Sequence, residues 1–181
     1  MRIVAGTAGG RKLQTLPGII TRPTADRVKE AIFSVLDVRV LEARVLDLFA
    51  GSGALALESL SRGADYALMV EKSPQACEVI RDNCRLTGLT PKVRLLTRDA
   101  LVVLRELEGQ SFDLVFLDPP YRQGLAQVSL EILAEGNYLT PNGVIIVETS
   151  REEALPVELG KLCLRKQSRY GDTVVWYYQL R

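Results

Sequence analysis

The sequence predicts an α/β protein, a doubly wound and mostly parallel seven-stranded sheet preceded by a basic, hairpin-like extension. Three observations predict it. From Arg44 onward, short β-branched or apolar runs alternate with segments of helical period, as in parallel strands covered by helices. A glycine-rich turn, Asp47-Leu48-Phe49-Ala50-Gly51-Ser52-Gly53, joins the first run to the first helical segment, a Rossmann-like arrangement in which backbone approaches a ligand at the carboxyl edge of the sheet. Pro74 at a helix start, and Gly63 and Gly88 just past two helix ends, punctuate the alternation where it should be punctuated.

The strands are expected at 45–49, 66–71, 92–97, 113–117 and 144–148, with a closing pair at 162–166 and 173–179. Helices are expected at 54–62, 74–86, 100–107, 125–135 and 151–159. Ahead of the sheet, Ala5-Gly6-Thr7-Ala8-Gly9-Gly10-Arg11-Lys12-Leu13 reads as the hairpin-like piece, and a helix over 25–36 follows, capped by Thr24 or Asp26. With 181 residues, 47% of them hydrophobic, and no internal repeat, the chain is expected to form one domain: an extension over 1–24 and a catalytic core over 25–181.

Basic and acidic residues nearly cancel, 23 against 22, so net charge does not mark a nucleic-acid binder. A local signal exists. Residues 1–25 carry Arg2, Arg11, Lys12 and Arg22 and no Asp or Glu, which suits either a solvated basic tail or a phosphate-binding arm. There is no signal-peptide pattern and no apolar run near the ~20 residues that span a bilayer, so a cytoplasmic protein without membrane contact is expected. Three cysteines, an odd number, fit a reducing compartment, and Cys77 and Cys84 read as small buried hydrophobes. The chain has no histidine, which removes every histidine-based acid, base or ligand, and no metal is expected.

The loop Asp47 to Gly53 is the candidate cofactor site, with Ala50, Gly51, Ser52 and Gly53 giving the backbone approach. Glu71 ends the second strand 20 residues after Gly51, the distance at which an acid reaches two ribose hydroxyls. Asp99 follows the third strand beside Ala100, where it either meets an adenine amine or caps the next helix. Asp47 puts a carboxylate where a pyrophosphate would sit, which disfavours a dinucleotide and suits S-adenosylmethionine, whose ammonium and sulfonium are both cationic.

The fourth strand runs into Asp118-Pro119-Pro120-Tyr121, next to that loop in a doubly wound fold. Methylation of an exocyclic amine on a base explains the composition. Such a nitrogen is a poor nucleophile because its lone pair is delocalised, and it must pyramidalise to attack a methyl sulfonium. The Asp118 carboxylate and the Pro119 carbonyl can accept its two hydrogens, proline offering a fixed carbonyl without a competing donor. Tyr121 offers a face on which an extruded base stacks. A plain Asp-Pro turn is the structural alternative.

Taken together with the amino-terminal motifs, the sequence resembles the bacterial 16S ribosomal RNA guanine-N2 methyltransferases of the small-subunit class D type. The likeness is carried by Ile3-Val4-Ala5-Gly6 with Gly10 to Leu13, Thr21-Arg22-Pro23-Thr24 with Asp26 to Phe33, Asp47 to Gly53, Asp118 to Tyr121, and Tyr170-Gly171-Asp172-Thr173. The resemblance implies a class I methyltransferase fold, S-adenosylmethionine as donor, and methylation of guanine N2 in 16S ribosomal RNA within the small ribosomal subunit. It also implies that Arg22, Pro23, Thr24 and Arg27 lie near the cofactor and target base and that Arg11 and Lys12 touch RNA. A monomer is expected. Adenine-N6 or cytosine-N4 methylation uses the same tetrapeptide and stands as the alternative within enzymes. A catalytically silent cofactor-binding scaffold is the alternative outside them, and a dinucleotide oxidoreductase is disfavoured by Asp47.

Overall fold

The structure, a computed structural model, describes residues 1–16 and 23–181. Strands β1 (Arg44–Asp47), β2 (Tyr66–Glu71), β3 (Val93–Thr97), β4 (Phe112–Leu117), β5 (Leu139–Ser150), β6 (Glu158–Leu159), β7 (Leu162–Tyr170) and β8 (Thr173–Leu180) form one sheet in the order β3-β2-β1-β4-β5-β8-β7-β6. The first five are parallel and the last three antiparallel. The α/β doubly wound fold is therefore as expected, with eight strands in place of seven. Helices α1 (Pro23–Leu36), α2 (Ala54–Ser61) and α3 (Pro74–Thr87) cover one face, and α4 (Ala100–Glu106) and α5 (Leu125–Glu135) the other. Alternate strand residues serve the two faces: Val45, Met69, Leu114 and Phe116 pack under α1 to α3, and Leu46, Val70, Val115 and Leu117 under α4 and α5. Burial on both faces is why these strands read as apolar runs rather than as alternations.

Chain direction reverses its lateral progress between β1 and β4, and the crevice opens at the carboxyl ends of those two strands. α3 illustrates how local sequence sets an element. Ser73 accepts from the Ala76 amide, Pro74 fills the first turn, and Gly88, at φ 73°, closes the helix in the left-handed region.

Three expectations need correction. The helix over 151–159 does not form. The chain there makes a turn, buries Leu155 against the second core cluster, and ends in the short β6. Pro156 accounts for this, since it removes an amide donor and holds the preceding residue extended. The helix expected over 25–36 opens at Pro23, so Thr24 lies within its first turn instead of before it. β5 is far longer than 144–148, because Leu139 already pairs with Phe112 and the ladder resumes at Val144 after an irregularity around Pro141.

The amino-terminal stretch is a loop that folds back on itself, not a strand pair, with one isolated antiparallel bridge between Arg2 and Lys12. Nor does it project. Ile3, Ala8 and Leu13 are buried in the first core cluster, and the loop is fastened to α2 and α3 by polar side chains. Glu58, fully buried, accepts from the amides of Val4 (2.8 Å) and Ala5 (3.1 Å), from Arg62 Nε (2.7 Å) and from Lys29 Nζ (3.2 Å). The Ser61 hydroxyl donates to the Ala5 carbonyl and accepts from the Ala8 amide. Gly6 sits so close to α2 that a Cβ on it would fall 1.7 Å from the Ser61 carbonyl oxygen. A side chain there would lift the loop off the helix.

Candidate active site

A cleft of about 600 Å³ lies over the carboxyl edge of the parallel strands. Its floor is built from the residues that end consecutive strands: Glu71 on β2, Asp47 on β1, Asp118 after β4 and Glu148 near the end of β5. The register explains the row. Asp47 pairs with Met69 on one side and Phe116 on the other, and Leu117 pairs with Val147, so Asp118 and Glu148 leave neighbouring strands side by side. With strands ~4.8 Å apart, four carboxylates stand on one edge at roughly one-strand intervals.

Their environments differ. Glu71 is tied into the loop, Oε2 accepting from the Gly51 amide (3.0 Å) and Oε1 from the Ser73 amide (2.8 Å). Asp47 is 1% exposed, and its Oδ1 has no hydrogen-bond partner among the described residues. Burial, reinforced by the charge of Glu71 and opposed by backbone hydrogen bonds, pushes its carboxyl up to about 7. Solvent reaches Asp118 through the cleft, but protein surrounds it on its other sides. Desolvation, then the charges of Glu148 and Asp47, hold its carboxyl well above the ordinary range. Desolvation likewise raises Glu148. A buried orphan oxygen beside three other acids, none of the four ion-paired among the described residues, is the electrostatic complement of a cationic ligand.

Tyr121, 41% exposed, stands at the mouth with its hydroxyl donating to Glu148 Oε1 (3.1 Å) and 3.4 Å from Thr173 Oγ1. Its hydroxyl is raised by burial first and by the Glu148 charge second. The next residue, Arg122, adopts φ 61° and pairs with Glu152, fixing the far end of the tetrapeptide loop.

The expected residues Asp47, Ala50, Gly51, Ser52, Glu71, Asp99, Ala100 and Asp118 to Tyr121 all come together around this cleft. Gly53 does not line it. At φ 78° it turns the chain into α2, and a Cβ there would meet Met69, Leu57 and Ile80, so it serves the bend. Asp99 caps α4, Oδ1 accepting from the amides of Leu101 and Val102, while still bordering the cleft. Arg11, Lys12 and Arg27 are exposed and away from it, and Arg11 donates to the Leu86 carbonyl at the end of α3. Arg22 lies outside the described residues, and Pro23 and Thr24 form the first turn of α1.

Two participants were not anticipated. Glu148 enters the sequence expectations only as the end of a strand, although an acid closing an apolar core strand at the ligand edge is itself a signal. Asn83, fully buried in α3, donates to the Ser52 carbonyl (2.9 Å) and exchanges hydrogen bonds with the Gln14 backbone, joining the glycine loop to the amino-terminal loop. Nothing in the sequence signals that link.

The fold and this edge arrangement place the chain among methyltransferases. It superposes on the yhhF protein of Escherichia coli with a TM-score of 0.87 at 33% identity, covering 100% of this chain and 98% of that one. It superposes, in fold alone, on a ribosomal protein methylase of Lactobacillus delbrueckii with a TM-score of 0.73 at 18% identity, covering 93% and 85%. The chain belongs to the family described as Conserved hypothetical protein 95, whose model matches residues 1–179. Its relatives include the ribosomal RNA small subunit methyltransferase D of Escherichia coli, 34% identical over 99% of this chain and 89% of that protein. The enzyme of the same name from Haemophilus influenzae is 38% identical over 86% and 81%. The resemblance to the class D small-subunit methyltransferases is thereby borne out.

Proposed function

We propose that this protein transfers a methyl group from S-adenosylmethionine to the N2 amine of a guanine in 16S ribosomal RNA, presented within the small ribosomal subunit. The observation that carries the reading is the placement of Asp118-Pro119-Pro120-Tyr121 in the same cleft as the orphaned carboxylate of Asp47. The relatives named for ribosomal RNA support the substrate class.

Asp47 suits the cationic end of S-adenosylmethionine, since an ammonium supplies the donor that Oδ1 lacks. Glu71 keeps unused lone pairs for ribose hydroxyls while holding the Gly51 turn in place. Bound there, S-adenosylmethionine supplies an electrophilic methyl group. Asp118 and the Pro119 carbonyl accept the two hydrogens of the target amine and favour its pyramidal form. They thereby localise the lone pair for attack and stabilise the positive charge that develops on nitrogen. The methylated amine then loses a proton readily, so no strong base is required. Tyr121, immobilised through its hydroxyl, presents its ring to the base. Residues 1–181 act as one catalytic domain, the amino-terminal loop bracing the cofactor turn through Asn83 and offering Lys12 to phosphate.

The test is incubation with tritiated S-adenosylmethionine of small-subunit particles from cells lacking the protein, followed by mass mapping of 16S ribosomal RNA. Label on a single guanine N2 is expected. Label on adenine N6 or cytosine N4 would replace this reading, and absence of transfer despite cofactor binding in calorimetry would favour a silent scaffold.

A further inference from the structure

We infer that Glu148 reads the identity of the target base, its carboxylate accepting the N1–H of guanine beside the amine held by Asp118. This rests on the guanine reading above. Asp118 and Glu148 each follow the paired residues Leu117 and Val147 on adjacent parallel strands, so one base edge can span both. Guanine carries its N1–H next to the N2 amine. A carboxylate one strand over from the amine's acceptor therefore meets N1.

The hydrogen-bond pattern fits. Oε1 of Glu148 takes the Tyr121 hydroxyl, and Oε2 has no donor among the described residues although the side chain borders the cleft. The Tyr121 hydroxyl is held a second time, at Thr173, which opens β8 directly after the tight turn Gly171-Asp172. The Arg151 amide accordingly donates to the Asp172 carbonyl, and the Arg151 guanidinium pairs with the Asp172 carboxylate at 3.2 Å, fastening that turn to the end of β5. The motif Tyr170 to Thr173 thus acquires a task. It steadies the ring on which the base rests and the acid that reads the base's edge.

The chemistry is selective. Guanine offers a donor at N1, whereas adenine and cytosine, which satisfy Asp118 equally well through their own amines, present a bare ring nitrogen beside the amine. That lone pair would face a carboxylate. The tetrapeptide permits three bases, and Glu148 leaves one of them favoured.

The experiment uses small-subunit particles reconstituted with 16S ribosomal RNA that carries either guanine or 2-aminopurine at the target position. 2-Aminopurine keeps the N2 amine and lacks the N1–H. The wild-type enzyme should prefer guanine by about 10- to 100-fold in kcat/KM, the worth of a hydrogen bond to a charged group. Glu148→Gln, whose amide can donate to the bare N1, should shrink that preference to a few-fold or invert it, with S-adenosylmethionine binding retained in calorimetry. Equal rates on the two bases with the wild-type enzyme would overturn the inference without recourse to any variant. So would a Glu148→Gln enzyme that is slower yet keeps the full preference. Both of those outcomes leave guanine methylation standing. Methylation of an adenine or cytosine in the same particles would instead remove the guanine reading and this inference with it.

Discussion

Two carboxylates are buried almost equally deep in this protein and are treated in opposite ways. Glu58 is surrounded by four donors, two of them backbone amides of the amino-terminal loop and two of them cations. Asp47 is left with an oxygen that nothing in the described protein satisfies, in a row with three other acids on the floor of a cleft. The first has been made part of the fold. The second is held ready for something that is not part of the fold. A buried acid with a full set of partners reports on structure, and one without them reports on a ligand.

The sharpest way to break this contrast is to remove one acid from each region. Asp118→Ala should lower kcat by about 10³-fold or more while shifting the melting temperature little, whereas Asp118→Asn should keep a measurable rate through its amide oxygen. Near-normal turnover by Asp118→Ala would end the assignment. Glu58→Ala should do the reverse, because it strands Lys29 and two loop amides. A loss of roughly 3–5 kcal/mol, about 10 °C in Tm, is expected by calorimetry.

Asp47→Asn is the intermediate case. The carboxyl of Asp47 lies at about 7 in the folded protein against an ordinary 3.8, so ionising it opposes folding. That opposition is absent below pH 4, grows as pH rises, and is complete above pH 7, on the order of 4 kcal/mol. The amide should therefore stabilise the cofactor-free protein at pH 8 by up to this amount while weakening S-adenosylmethionine binding at least tenfold. In the wild type, cofactor affinity should fall by up to tenfold per unit as pH drops below 7, since the cation prefers the ionised acid. A pH-independent affinity between 5.5 and 8 would show that Asp47 does not face the cationic end. The smallest effect is expected at the loop. Neutralising Lys12 should flatten the salt dependence of RNA binding by about one unit of slope, and neutralising Arg11 by less, because it already serves the Leu86 carbonyl.

Periodicity and punctuation carried far into this molecule. β2 and α5 fall on the expected residues, and the glycine turn, Glu71 and the tetrapeptide meet at the switch point because open α/β sheets put strand ends there. Elements whose boundaries depend on a local residue were readable in principle even where the reading failed: Pro156 forbids the helix expected over 151–159. What no local pattern contains is the pairing of polar side chains across long sequence separations. Glu58 and Asn83 look like ordinary polar residues of two helices, and only the folded chain shows them grasping the backbone at residues 4, 5 and 14. The same reason hid the partnership of Tyr121 with Glu148 and Thr173, 27 and 52 residues away.

The row of carboxylates also sets terms for inhibitor chemistry. Four acids on four neighbouring strands form a row about 15 Å long, from Glu71 on β2 to Glu148 on β5. On the function proposed above, a single molecule that places an amine opposite Asp47 and a guanine-like donor edge opposite Asp118 and Glu148 would engage both substrates' subsites at once. Its potency should rise with pH up to about 7, as Asp47 gives up its proton.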